Sequence, residues 1–349
     1  MKIKIDHKTI DLNSVDWVSW KTENKNLGWK IAIIDFLERF SNSFSTTDLQ
    51  TSGSTGKPKI ISAKKEHLLN SAKATCEFFN LNESSTGLLC MNAKYIGAQM
   101  MLVRAIVSGM NLLTTEPKAN PVEDLNESID FAAMVPYQVK NSLKTIQKFN
   151  LIKNLIIGGG KTGFELEKKL KVSSVKCYET FGMTETYSHI ALKQVSPISQ
   201  DNFKCLLGIS IESSKNNQLI INAPNIGINK LITHDIIELK NNNSFKWIGR
   251  IDNIINSGGI KISPEEIENK IAHLFTQNFC IIGLPHKELG EQVTLVIEGN
   301  QFNPMELNSE LNMILPKYHL PKGIKIINSF PRTENGKVKR KELQKLLLT

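Results

Sequence analysis

Between residues 62 and 182 short apolar runs alternate with segments of helical period, and no other feature of the sequence restricts the fold as strongly. "SAKKEHLLNSAKATCEFFN" carries its apolar residues at helical spacing. "TGLLCMN" reads as a short buried strand, and "GAQMMLVRAIVSGMNLLTT" as a helix, a glycine stop and another strand. "FAAMVPYQV", "NLIIGGG" and "SVKCYETFG" continue the series, the last two running into glycine. Strands separated by helices predict a large α/β domain with parallel strands. From about residue 205 to 250 the texture changes to short strands with polar turns, as in "LLGISIESSKNNQLIINAP", "KLITHDIIEL" and "SFKWIGR". These predict an accessory antiparallel sheet or a small barrel. After "GRIDNIINSGGI" the remaining chain reads as a small α+β module of roughly one hundred residues, enough for a domain. The predicted division is therefore 1–251 and 252–349.

Composition narrows the function. With 349 residues, 40% hydrophobic and 22% charged, the chain is an ordinary globular protein able to bury a core in each of two domains. No apolar run approaches the ~20 residues of a membrane span. The opening "MKIKIDHKTIDLNSVDW" lacks the apolar stretch of a secretion signal. The five cysteines are scattered without a CxxC pair and the seven histidines show no ligand spacing. Reduced thiols in a cytoplasm are expected, with neither a disulfide frame nor a zinc site. The formal charge of +9 is spread among dispersed lysines, with no aromatic-and-basic stripe. That disfavours nucleic acid and suits a polyanionic small molecule.

"TSGSTGKPK", residues 51–59, has the parts of a phosphate-holding loop: glycines that let backbone N–H groups turn inward, hydroxyls that donate, and lysines that offset charge. It is not a Walker loop. Only Ser54 and Thr55 separate Gly53 from Gly56, and Pro58 rather than a hydroxyl residue follows Lys57.

Four further segments follow it in order: "YETFGMTET" at 178–186, "HDI" at 234–236, "GRIDNIINSGGIKISPEEIE" at 249–268 and "PRTENGKVKRKEL" at 331–343. With the loop, they resemble the core motifs of the adenylate-forming superfamily of acyl-CoA synthetases, luciferases and peptide-synthetase adenylation domains. The resemblance runs from about residue 49 to the C-terminus. It implies a reaction in which a carboxylate attacks the α-phosphate of ATP, pyrophosphate leaves, and a thiol then displaces AMP. The carboxylate is already ionised at neutral pH, so the task is electrostatic and needs no general base.

The same resemblance implies roles for particular residues. Thr51, Ser52, Gly53, Ser54, Thr55, Gly56 and Lys57 would grip the β- and γ-phosphates of ATP. Gly158, Gly159 and Gly160 would border adenine and the acyl pocket, Phe181 would lie against adenine where the family usually has tyrosine, and Thr180 and Gly182 beside it would also bind the nucleotide. Thr184 would touch the α-phosphate and Glu185 would help hold Mg²⁺. Asp235 would take the ribose hydroxyls and Arg250 the ribose or phosphate. His234 stands where glycine is usual, and a histidine adopts positive φ less freely. Asp252 would be the hinge on which 252–349 turns, Gly258 and Gly259 would admit the pantetheine arm of CoA, and Lys337 would reach the reacting carboxylate.

The segment ahead of the loop, about fifty residues, is short for the superfamily, and "GMTETYSHIAL" resembles the short o-succinylbenzoate–CoA ligases of menaquinone biosynthesis. That implies 2-succinylbenzoate as the acid. Its second carboxylate requires a cation or donor set, because an unpaired buried charge is costly. Lys94, where most relatives have histidine, is the expected partner, or else a water-bridged set including Ser188 or His189; Arg104 lies ten residues further on. Another acid or a carrier-protein thiol is the alternative, and a non-catalytic nucleotide-binding relative is a third reading. Retention of Lys57, Glu185, Asp235 and Lys337 argues against the last. The oligomeric state is not readable from these residues.

Overall fold

The computed structural model describes residues 1–50, 60–299, 304–332 and 338–348. The chain opens with a hairpin, β1 (Lys2–Ile5) and β2 (Lys8–Asp11), followed by helices α1 (Trp17–Glu23) and α2 (Gly28–Ser41). An antiparallel ribbon, β3 (Thr46–Gln50) and β4 (Ile60–Lys64), flanks the candidate phosphate loop. Then α3 (Lys65–Phe79), β5 (Thr86–Leu89), α4 (Ile96–Ser108) and β6 (Asn111–Thr114) form the first strand–helix alternation. It continues with β7 (Ile129–Met134), α5 (Pro136–Ser142), α6 (Ile146–Phe149), β8 (Ile152–Ile157), α7 (Phe164–Leu170) and β9 (Lys176–Gly182).

Strands β6, β5, β7, β8 and β9 lie side by side and parallel, as the alternation predicts. Helix α4 has an almost continuous apolar sequence and accordingly lies in the core, with Ala98 and Met100 to Val103 no more than 1% exposed. It ends where Gly109 takes φ 74°, the left-handed cap that lets the chain turn into β6.

At β9 the direction changes. β10 (His189–Ser196) returns antiparallel to β9, and β11 (Phe203–Cys205), β12 (Ser210–Ser213), β13 (Gln218–Ala223), β14 (Ile228–Asn241) and β15 (Ser244–Arg250) are all antiparallel to their neighbours. Among the described residues their ladders form an open path, and Ile211 N of β12 donates to the Asn242 carbonyl in the β14–β15 turn at 2.9 Å. β11 pairs β10 on one side and β15 on the other. Among the described residues the result is one sheet of thirteen strands, in the order β12-β13-β14-β15-β11-β10-β9-β8-β7-β5-β6-β1-β2. The accessory strands are thus an antiparallel extension of the parallel sheet.

The chain leaves this sheet through one turn, Ile251–Asn253. It then builds β16 (Ile255–Ser257), β17 (Ile260–Ile262), α8 (Pro264–Ile271), β18 (Phe279–His286), β19 (Gly290–Glu298), α9 (Pro304–Ile314), β20 (Gly323–Ile327) and α10 (Arg340–Leu348). β17, β16, β19 and β18 form a second sheet, with β20 parallel to β19. This unit has its own core of Ile267, Ile271, Ile281, Leu295 and Leu311. The "SPEE" start of α8 is an N-terminal cap: Ser263 Oγ accepts from Glu266 N at 3.4 Å and proline occupies the first turn. The same hydroxyl donates to the Ile248 carbonyl at 3.2 Å and so touches the large sheet. Lys161 Nζ donates to Asn269 Oδ1, and the Phe164 and His273 rings meet at 6.2 Å, across the same boundary.

Among the described residues no helix is long and apolar enough to cross a membrane. All five cysteines are free and buried, and burial pushes the thiols of Cys90, Cys177 and Cys205 up to about 12.

Candidate active site

The carboxyl ends of β8 and β9, where an open parallel sheet places its ligands, gather the first group of expected residues. Gly158, Gly159 and Gly160 form the loop after β8. Its far end is fixed by Glu179 of β9, whose Oε1 accepts from Thr162 N at 3.1 Å. Lys193 Nζ in turn lies 2.7 Å from Glu179 Oε2. Thr180 Oγ1 donates to the Ile157 carbonyl at 3.1 Å, which ties β9 to β8 beside Gly158. Phe181 is half-buried and meets Phe203 and Phe245 edge-to-face, at 5.1 Å for the second, so its ring is braced from the antiparallel side. Gly182 is required for packing: a Cβ there would collide with the backbone of Ser188 and His189 on β10.

After β9 the chain makes one tight turn, Thr184–Thr186, and Tyr187 follows at φ 59°. Positive φ on a bulky residue is strained, and such strain gathers at functional loops. The Tyr187 ring lies 5.7 Å from that of His67 on α3, and its hydroxyl is 3.2 Å from His67 Nδ1. Glu185 is exposed and makes no hydrogen bond or ion pair among the described residues. A free carboxylate on such a turn is the hard oxygen donor that Mg²⁺ takes, so the side chain fits the metal expected here. No group of three or more His, Cys, Asp or Glu side chains is placed to hold a metal ion among the described residues, so the remaining ligands of such an ion would be phosphate oxygens and water.

A second group lies on β14 and β15, where Asp235 and Arg250 are register partners. Asp235 is 5% exposed. Its Oδ1 accepts from Trp247 Nε1 at 2.9 Å and lies 3.7 Å from Arg250. Asp252 sits in the turn between the two sheets. Arg250 reaches its Oδ2 at 3.1 Å, and His234 Nδ1 lies 2.9 Å from both of its oxygens. The His234 hydrogen bond, followed by that of Arg250, holds the Asp252 carboxyl below the ordinary aspartate range. His234 is absent from the described positive-φ residues, so the histidine in place of glycine costs no left-handed strain, although β14 bulges here, with Thr233 to Asp235 opposite Leu219 of β13. Gly258 and Gly259, at φ 59° and 84°, make the hairpin between β16 and β17.

The third group was only partly anticipated. Lys94 is exposed in the turn before α4, and no side-chain contact joins it to Ser188 or His189 among the described residues. The cation that does join them is Arg104, in the buried middle of α4 and 1% exposed. Arg104 donates to Ser188 Oγ at 2.9 Å. Ser188 Oγ is 3.3 Å from His189 Nδ1, and His189 Nε2 is 3.3 Å from Thr75 Oγ1, which donates to the Ser71 carbonyl. Burial, then the Arg104 charge, holds His189 well below the usual imidazole range, so the ring is neutral. The donors can then be ordered: Arg104 to Ser188, Ser188 to Nδ1, Nε2–H to Thr75, Thr75 to the carbonyl. Arg104 Nε has no partner, and no carboxylate pairs with the guanidinium among the described residues. Burial pushes this guanidinium down to about 10. It remains charged at neutral pH.

Of the expected residues, Thr51, Ser52, Gly53, Ser54, Thr55, Gly56 and Lys57, together with Lys337, lie outside the described residues. Glu179, Thr75, His67 and Tyr187 were not anticipated. Each carries a side chain ordinary for a strand, helix or turn, and its contact is with a residue distant in sequence.

An open α/β sheet with a glycine loop at its carboxyl edge, a buried acid beside an arginine and a second unit on a one-turn link has the parts of a nucleotide-dependent ligase. The AMP-binding enzyme family model matches residues 49–208. An acyl-CoA synthetase (AMP-forming)/AMP-acid ligase II-like protein from Dyadobacter fermentans is 31% identical, with 94% of this chain and 98% of that chain covered and a TM-score of 0.62. This chain belongs to the AMP-binding enzyme family. A 2-succinylbenzoate–CoA ligase from Bacillus cytotoxicus is 25% identical over 347 residues, covering 89% of this chain and 72% of the relative. The fold is shared with o-succinylbenzoate coenzyme A synthetase from Bacillus subtilis, solved with ATP and magnesium, at TM-score 0.73 and 20% identity over 85% of this chain and 69% of that chain.

Proposed function

We propose that this chain is an AMP-forming acid–CoA ligase whose acid is an aromatic dicarboxylate, 2-succinylbenzoate, activated at its succinyl carboxylate. ATP supplies the leaving group: the carboxylate oxygen bonds to the α-phosphorus as pyrophosphate leaves, and the CoA thiol then takes the acyl group as AMP leaves. Mg²⁺, when bound, offsets charge on the phosphates, with Glu185 as its protein ligand. The chain's own residues do the rest by position. The loop Gly158–Gly160, held by Glu179, borders the base with Phe181. Asp235 accepts from the ribose hydroxyls, and Arg250 offsets charge beside it. Thr184 meets the α-phosphate, and the loop at 51–57 and Lys337 act on the phosphates and the reacting carboxylate.

The observation that supports a dicarboxylate is Arg104. A fully buried guanidinium with an unpartnered Nε and no carboxylate among the described residues lacks the anion that would justify its burial. A second carboxylate on the substrate would supply that anion, and the resemblance to 2-succinylbenzoate–CoA ligases names the acid. The test is a panel of mono- and dicarboxylic acids with ATP, Mg²⁺ and CoA, read by mass spectrometry. Acyl-CoA and AMP should form from 2-succinylbenzoate in preference to its monoacid analogue. Turnover of benzoates or fatty acids with none from 2-succinylbenzoate would reject the substrate while leaving the ligase chemistry.

A further inference from the structure

The two sheets are joined by a single turn, and a side chain from the body of the large sheet grips it. Asp252, midway along Ile251–Asn253, is held by Arg250 just before it in the chain and by His234 from the neighbouring strand. Arg250 is also the cation nearest Asp235, so one guanidinium serves two carboxylates. Neutral His234 leaves that set one positive charge short. Protonated His234 balances it.

We propose that His234 is a positioning residue, a proton-sensitive latch on the link between the two sheets. Bound to Asp252, it holds the second unit in the pose seen here; released, it lets that unit turn between the two steps of the proposed reaction. The inference rests on the ligase reading only for that last clause. The latch itself follows from the geometry.

Among the described residues the charged groups around the imidazole are few. Asp235 lies beside it on β14, Arg250 on β15 and Asp252 on the link. β13 has no titratable side chain, and on β12 the one such residue, Glu212, is separated from β14 by β13. His234 and Asp252 are 59% and 41% exposed, so solvent reaches the pair and the proton exchanges freely. An exposed pair is worth little to global stability, but a two-pose equilibrium needs only a small bias to shift several-fold. A proton on His234 supplies the positive charge that Asp235, Asp252 and Arg250 lack between them, so the latch should tighten as pH falls and loosen as it rises.

The experiment is single-molecule energy transfer between dyes on Val172→Cys and Met313→Cys, positions 76% and 80% exposed on the two units, with the five native cysteines buried. The wild-type background should show one dominant distance at pH 6 and a second population at pH 8. His234→Gly should show the second population at both pH values, at least threefold above wild type at pH 6. His234→Gln keeps a donor but does not titrate, so its distribution should not change with pH. Identical distributions for wild type and His234→Gly, or a retained pH response in His234→Gln, would overturn the latch. A companion assay compares CoA transfer with pyrophosphate release. Their ratio should rise in His234→Gly at pH 6 and meet the wild-type value at pH 8, which removes the ordinary titration of the CoA thiol from the comparison. Equal ratios at pH 6 would remove the latch from the reaction. If no acid in the panel releases pyrophosphate, the ligase reading fails while the distance measurement still judges the latch.

Discussion

Arg104 concentrates the conflict between stability and function in one side chain. Its guanidinium is buried with one neutral oxygen, one sulfur and the face of Phe131 for company. The shift of its pKa to about 10 corresponds to a burial cost on the order of 3 kcal/mol at neutral pH. Because the folded pKa is lowered, the charged form is penalised throughout the neutral range and relief comes only above about pH 10. Arg104→Met retains the stem and removes the charge. The free protein should then be equally stable or more stable, by about 1–3 kcal/mol in denaturant titration. Under the proposed function the same change should raise KM for the dicarboxylate at least tenfold and barely alter that for a monoacid, since a charge-assisted bond is worth about 1.5–3 kcal/mol. Strong destabilisation with unchanged acid preference would make Arg104 a structural residue satisfied by Ser188.

At the level of elements, helix α8 depends on one hydroxyl used twice. Ser263 caps the helix through Glu266 N and joins it to the large sheet through the Ile248 carbonyl. Ser263→Ala should cost about 1 kcal/mol, the usual worth of such a cap. If the second unit melts on its own, its transition should fall by about 4–8 °C in calorimetry, the shift expected for a domain near one hundred residues. Ser263→Thr keeps the oxygen and should remain near wild type. A Ser263→Ala variant with an unaltered transition would show that Glu265, whose Oε2 lies 3.4 Å from Ser263 Oγ, takes over the cap.

For the whole molecule, the contacts that hold the second unit in its pose include, among the described residues, the link at Asp252, the Ser263 bridge, the ring pair Phe164–His273, and Lys161 with Asn269. Lys161 is exposed, and Asn269 opposite offers its ammonium only a neutral amide oxygen. Asn269→Asp would set a carboxylate against it and strengthen the contact. The expected result is acyl-CoA formation at least threefold slower, with one of the two half-reactions keeping its wild-type rate. Equal slowing of both would separate this contact from the motion.

The parallel strands and their helices could be read in advance because burial on both faces leaves a local mark: an apolar run, a helical period, a glycine where the chain must turn. Phe181, Glu185 and Asp235 are picked out only by the resemblance of the motifs around them, and the structure supplies the strands and the turn that carry them. The joining of the antiparallel strands to the main sheet could not be read in advance, because the free edge of β10 accepts β11 through backbone groups that every residue carries. Nor could the meeting of Arg104 on α4 with Ser188 and His189 on and just before β10 and Thr75 on α3. In a helix as apolar as "GAQMMLVRAIVSG" one arginine reads equally well as a surface charge, and the sequence alone does not say whether it or Lys94 faces Ser188. The difference is set by which face of α4 turns inward, a quantity fixed by packing against α3 and the sheet. The hold of His234 on Asp252 has the same origin: eighteen residues separate them along the chain, and register pairing of Asp235 with Arg250 closes the gap.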